Sequence, residues 1–131
     1  MKQIVFFIFL CLTAHLTASD KNDNLADLLQ SFGDNGEYDR MDSIYGVITR
    51  ENRYKQDKIY ALNIDLDYAR YLNQKGDCDK AYTLLAQTRK KATTLESQQT
   101  DQSSRSQIQT IEALATYETA YGQWQADHLK E

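Results

Sequence analysis

The chain has 131 residues, which suits one domain, and carries 15 lysines and arginines against 19 aspartates and glutamates, a formal net charge of −4. This acidic balance argues against a nucleic-acid partner, which requires a basic face, and no basic amphipathic stretch suited to a membrane surface is present.

Residues 1–18 have the layout of a secretory signal peptide. Lys2 precedes an apolar run over residues 4–16, and small residues then lead to a cut predicted after Ala18. The run is too short to span a bilayer as a mature helix, which needs about 20 residues. The prediction is therefore a single helical domain over residues 19–131, secreted or periplasmic, with 14 cations, 19 anions and a net charge of −5.

Five apolar stripes at helical spacing follow in chain order, and no stretch alternates with the period of a strand. The chain also contains no proline. Together these patterns predict an all-α protein, with Asp23 capping the first helix and Gly33 ending it. The stripes are Leu25, Leu28, Leu29 and Phe32; Tyr38, Met41, Tyr45 and Ile48; Ile64, Tyr68, Ala69 and Leu72; Ala81, Leu85, Thr88 and Ala92; and Ile108, Ile111, Leu114 and Ala115.

A short phrase occurs twice, as GEYDRM from Gly36 and as GDCDKA from Gly76. Aligning the chain on these glycines predicts two units of helix, turn and returning helix, with turns at 33–36 and 75–76. Gly122 aligns as a partial third unit. One column of this alignment is predicted to be buried against the preceding helix, and it holds Tyr38, Cys78 and Trp124.

This arrangement resembles the tetratricopeptide repeat. The resemblance covers residues 24–91 as two hairpins, with a partial third from Ile108. The glycine spacings of 40 and 46 exceed the family's period of about 34, and Asp65 stands where a large apolar residue is expected. Antiparallel hairpins stacked as a short repeat array are thus one interpretation, and a small helical bundle with similar turns is the other.

The resemblance implies a groove lined by the first helix of each hairpin. The residues it places there as partner-binding candidates are Asp27, Asn63, Asp67 and Arg70. Because the carboxylates outnumber the single cation, the expected partner is a protein with a basic patch. The expected function is a non-enzymatic protein-binding module. Alternatives are an inhibitor or immunity protein that blocks one secreted enzyme, and a small carboxylate-dependent hydrolase.

Residues 93–107 lack apolar periodicity apart from Leu95. This stretch predicts a solvated extension of the fourth helix followed by a protease-sensitive loop.

Few residues support catalytic or metal chemistry. Beyond the predicted signal peptide the chain has one histidine, His128, and one cysteine, Cys78, whereas a structural zinc site needs four such ligands. The D-x-D pairs at 65–67 and 77–79 do not match a calcium-binding loop. No catalytic residue, metal or cofactor is therefore expected. Cys78 has two interpretations, a packed thiol or an intermolecular disulfide that forms a dimer.

Overall fold

The computed structural model describes residues 24–128. The predicted signal peptide and the predicted cap Asp23 lie outside the described residues. Residues 24–128 contain six helices and no strand, so the all-α prediction is confirmed. The helices are α1 (24–34), α2 (Tyr38–Ile48), α3 (Asn52–Gln56), α4 (Lys58–Lys75), α5 (Cys78–Gln98) and α6 (Gln102–His128).

Side-chain hydrogen bonds between helices show the chain direction of each pair. Gln30 Nε2 on α1 donates to Asp67 Oδ2 on α4 at 3.1 Å, and Tyr71 on α4 reaches Asp34 on α1 at 2.8 Å. Both pairs are 37 residues apart, so α1 and α4 run parallel. Helices α1 and α4, which are the first helices of the two hairpins, therefore lie side by side.

The α5–α6 pair is antiparallel. Thr93 Oγ1 donates to Glu112 Oε1 at 2.6 Å, and Gln109 Nε2 donates to Glu96 Oε1 at 2.6 Å. The partner number falls as the α5 number rises, which only antiparallel helices allow. The second hairpin is thus extended by a third long helix that folds back along α5.

The two copies of the repeated phrase form the same turn. Gly36 and Gly76 both have positive φ, at 72° and 92°, the left-handed conformation that glycine adopts without a steric cost. The N–H groups of Glu37 and Asp77 each donate to the carbonyl five residues earlier, at 2.8 and 2.9 Å. Glu37 has φ −83°, ψ 60° and Asp77 has φ −85°, ψ 59°. The repetition in sequence is therefore a repetition of helix-ending geometry.

The prediction that Gly33 ends the first helix is wrong. Helix α1 continues to residue 34, and the left-handed residue is Gly36. Gly33 has a packing role instead, because a Cβ built on it would lie 2.5 Å from ring atoms of Tyr71. The glycine allows α4 to approach α1 closely.

Helix α4 lies at the centre of the fold and is buried on two faces. Its Ile64, Tyr68 and Leu72 join a cluster with residues of α1 and α2, and its Leu62, Leu66 and Ala69 join another with residues of α5 and α6. The remaining fully buried members of these clusters are Leu29, Met41, Ile48, Tyr71 and Ala81 in the first, and Leu85, Ala92, Ile108, Ile111 and Ala115 in the second.

Asp65, at the position where the resemblance expects an apolar residue, is a buried carboxylate that connects four helices. It is 1 % exposed, and its Oδ1 accepts hydrogen bonds from the hydroxyls of Tyr45 at 2.9 Å and Tyr54 at 2.6 Å. Lys91 Nζ lies 3.5 Å from Oδ2. A buried charge is costly unless it is paired and hydrogen-bonded. These three partners therefore offset the cost of burying the Asp65 carboxylate.

Residues 93–107 are more helical than predicted. The helical extension is present, since α5 runs to Gln98, but only residues 99–101 separate it from α6. Asp101 starts the next helix by accepting a 2.8 Å hydrogen bond from the Ser104 N–H. This bond from the Ser104 backbone, followed by that residue's hydroxyl, lowers the pKa of Asp101. A side-chain cap thus starts the helix where apolar periodicity is absent.

The alignment of Gly122 with the two turn glycines does not correspond to a third turn. Gly122 lies inside α6, a single helix of 27 residues, and faces the side chain of Asn73. Since no turn precedes Trp124, it does not fold back on a preceding helix, and it is 56 % exposed. Tyr38 and Cys78, which do follow turns, are partly buried.

Candidate functional site

The structure places two of the sequence-predicted partner-binding residues in contact. Arg70 Nη2 lies 3.4 Å from Asp67 Oδ1, and the other Asp67 oxygen accepts from Gln30 of α1. Both charged side chains are partly exposed. The α1 and α4 faces therefore share a polar surface, in which the negative charge of Asp67 is already partly compensated.

The other two candidates lie on the same helices without joining this contact. Asn63 is exposed, and its Nδ2 donates to the Ile59 carbonyl one turn earlier in α4 at 3.1 Å. Asp27 is exposed on α1, three residues before Gln30. Leu66, which lies between Asn63 and Asp67 on α4, is buried in the core.

Arg70 is held by several groups around it. Its partial burial acts to lower the pKa, but the Tyr71 hydroxyl, Asp67 and Glu118 of α6 raise it on balance. The guanidinium also lies over the Tyr71 ring, 5.1 Å from its centroid. Arg70 is therefore engaged mainly by side chains of its own helix, Asp67 and Tyr71, while it remains partly exposed.

A second surface, which sequence reasoning missed, runs along α6. We call it the α6 aromatic face, and it consists of Leu114, Tyr117, Tyr121, Trp124 and His128. Adjacent rings stack along it, with centroids 6.4 Å apart for Tyr117 and Tyr121 and 6.2 Å apart for Tyr121 and Trp124. Tyr117 is 63 % exposed and Leu114 is 47 % exposed. Large apolar side chains therefore remain in solvent over several helical turns.

This face lies along a stretch of α6 that has few charged residues. Between Glu112 and Asp127 the only charged residue is Glu118, which is buried beside Asn73, whose Nδ2 donates to the Glu118 carbonyl at 2.8 Å. Protein interfaces are depleted in charge at their centre and enriched in tyrosine and tryptophan. The α6 aromatic face has this composition.

Helix α6 presents apolar groups on two sides. One side enters the core through Ile108, Ile111 and Ala115, and the other is the α6 aromatic face. A helix that is apolar on one side needs one packing partner, and a second apolar side indicates another. The spacing of positions 114, 117, 121, 124 and 128 is a helical spacing, so the sequence alone indicates this second apolar side.

Cys78 lies at the first position of α5, partly buried and as a free thiol. Burial raises its pKa, and the carboxylates of Asp79 and Asp77 add to that effect. Because the thiolate is the reactive form, the site disfavours nucleophilic chemistry.

Two other kinds of site are absent from residues 24–128. No cluster of three or more histidine, cysteine or acidic side chains there could hold a metal ion. None of the helices in this part of the chain has the length and apolar character needed to cross a membrane.

In comparisons with known proteins, no protein-family model, curated protein or solved structure matches this chain.

Proposed function

We propose that the chain is a non-enzymatic protein-binding module that acts after secretion, in the periplasm or outside the cell. The observation that carries this proposal is the α6 aromatic face, where Tyr117 and Trp124 are more than half exposed. Exposed apolar patches of this kind mark interaction sites in soluble proteins.

The partner that fits this face has an apolar, uncharged surface of its own. A charged partner group placed there would lose its water without gaining an ion pair, which costs free energy. Aromatic side chains instead gain from burial, and truncating a central tyrosine or tryptophan of an interface costs about 2 kcal/mol or more. The face therefore selects for an apolar helix or ridge.

The polar surface on α1 and α4 has a secondary role in this proposal. Asp27 and Asp67 give it negative character, with Asn63 and Arg70 beside them, and a basic patch on the partner would be attracted to it. Because Asp67 is already engaged by Gln30 and Arg70, this surface contributes to the rate of approach more than to affinity.

The buried acidic groups support a binding role rather than a catalytic one. The carboxylate of Asp65 accepts hydrogen bonds from Tyr45 and Tyr54 and pairs with Lys91. The carboxylate of Glu118 contacts Asn73. Both carboxylates are used in holding helices together.

Affinity capture tests the proposal. The immobilised mature chain is incubated with an extract of the source cells, and the retained proteins are compared with those of the double variant Tyr117→Ser, Trp124→Ser. Tyr82→Ser removes another exposed aromatic side chain, on α5, and serves as the matched control. We expect a protein that the wild type and the control retain and that the double variant loses by at least about tenfold. Identical retention by all three would contradict the proposal.

A further inference from the structure

A separate cleft of about 590 Å³ opens between α3, α4 and α5. Apolar groups form part of its wall, namely Ala61 and Leu62 of α4 and Leu95 of α5. Four lysines line it as well, and these are Lys55, Lys58, Lys90 and Lys91. The volume is in the range that binds a peptide segment or a small molecule.

The lysines give the cleft a positive charge that contrasts with the acidic chain. Its only anionic lining residue is Asp65, which is buried and engaged by Lys91. Lys58 Nζ donates to the Lys55 carbonyl at 3.2 Å. Within residues 24–128, the ammonium groups of Lys55 and Lys90 form no ion pair or hydrogen bond. Two cations are thus left to face a ligand.

We propose that this cleft binds an acidic, extended peptide segment of a partner protein. Carboxylates of the segment pair with Lys55 and Lys90, and an apolar side chain enters between Ala61, Leu62 and Leu95. The apolar wall favours a peptide over a simple phosphate, which would leave it uncovered. The net negative charge of the chain disfavours a nucleic acid, whose long phosphate backbone needs a wide basic surface.

The proposal is independent of the α6 aromatic face, because no residue of α6 lines the cleft. The cleft carries the opposite electrostatic preference to the polar surface of α1 and α4. Failure of one proposal would leave the other standing.

The test is a selection of peptides by the whole mature chain. A display library of short random peptides is panned on the immobilised wild-type protein, and an enriched peptide is labelled for affinity measurements at low and high salt. Two variants alter the cleft. Lys90→Glu reverses one of its charges, and Ala61→Trp fills the space beside its apolar wall. Arg89→Glu makes the same charge change at an exposed neighbouring position on α5, outside the cleft.

We expect enriched peptides with aspartates or glutamates around an aromatic or aliphatic residue. Their affinity should fall by at least about tenfold with Lys90→Glu and with Ala61→Trp, and should change little with Arg89→Glu. Circular dichroism confirms that each variant folds. The proposal is overturned if no acidic peptides are enriched, if Arg89→Glu weakens binding as much as Lys90→Glu, or if polyphosphate binds while the peptides do not.

Discussion

Tyr54 and Asp65 are joined by a 2.6 Å hydrogen bond from the phenol hydroxyl to Oδ1. The same oxygen accepts a bond from Tyr45 at 2.9 Å. The carboxylate therefore ties α2 and α3 to the central helix α4 at a position that packing alone would fill with an apolar side chain.

Removing this carboxylate should destabilise the protein strongly. We expect Asp65→Ala to lower the free energy of unfolding by about 2–4 kcal/mol, because two tyrosine hydroxyls and Lys91 lose their shared partner. Tyr54→Phe removes one bond and should cost about 1–2 kcal/mol. Urea denaturation measures both, with the exposed Tyr82→Phe as control. A loss below about 0.5 kcal/mol for Asp65→Ala, as expected for an unimportant surface site, would refute this role.

The same tyrosines predict a loss of stability in alkali. Burial, followed by the charge and hydrogen bond of Asp65, raises the pKa of Tyr45 and Tyr54 above the usual value of about 10. The folded protein therefore keeps its phenol protons at a pH where the unfolded chain releases them. The stabilisation that comes from these two phenols is therefore fully present below about pH 10. It decreases as the pH rises above that value.

Urea titrations at increasing pH check this prediction. The double variant Tyr45→Phe, Tyr54→Phe should show a smaller decline above about pH 10 than the wild type, although it starts from a lower stability. Equal declines in the two proteins would show that these phenols are not linked to folding.

Two helical glycines should respond oppositely to alanine. At Gly33 the added methyl group would meet the Tyr71 ring, so Gly33→Ala should destabilise by about 1–3 kcal/mol. At Gly46 nothing lies within 4 Å of the added Cβ, so Gly46→Ala should stabilise α2 by about 0.5–1 kcal/mol. Thermal unfolding of the two variants, compared with the wild type, tests both expectations. A stabilised Gly33→Ala protein would contradict the close approach of α4 to α1.

Cys78 should react slowly with thiol reagents. Its partial burial and the two neighbouring aspartates raise the pKa, so little thiolate is present at neutral pH. We expect native labelling to be well below the rate in denaturant and to accelerate as the pH rises. The variants Asp77→Asn and Asp79→Asn should each react faster. Rapid labelling of the native protein that is independent of pH would be inconsistent with this environment.

The helical content and both glycine turns were predictable from the sequence, because apolar spacing and left-handed glycines are local signals. The role of Gly122 was not predictable in this way. The alignment treated Gly122 like Gly36 and Gly76, but Gly122 is needed for its close approach to Asn73. A glycine that ends a helix and a glycine that allows two helices to touch look the same in one sequence.

The candidate surfaces were less predictable. Asp67 and Arg70 were identified through a resemblance, yet their mutual contact and the Gln30 bond depend on how α1 and α4 pack. The cleft draws its lysines from three helices, with Lys55 and Lys90 far apart in sequence, so no local pattern reveals it. The stripe from Leu114 to Trp124 was readable, but its exposure follows from which side of α6 meets the core.

A partner protein bound at the α6 aromatic face would lie against Tyr117 and Trp124. A photoreactive phenylalanine analogue placed at Tyr117, and separately at Trp124, would attach covalently to such a partner in an extract of the source cells. A third protein carries the analogue at Val47, which is exposed on α2. We expect the same discrete crosslinked partner from positions 117 and 124 and none from position 47. No adduct at either α6 position, or the same adducts at all three, would contradict binding at this face.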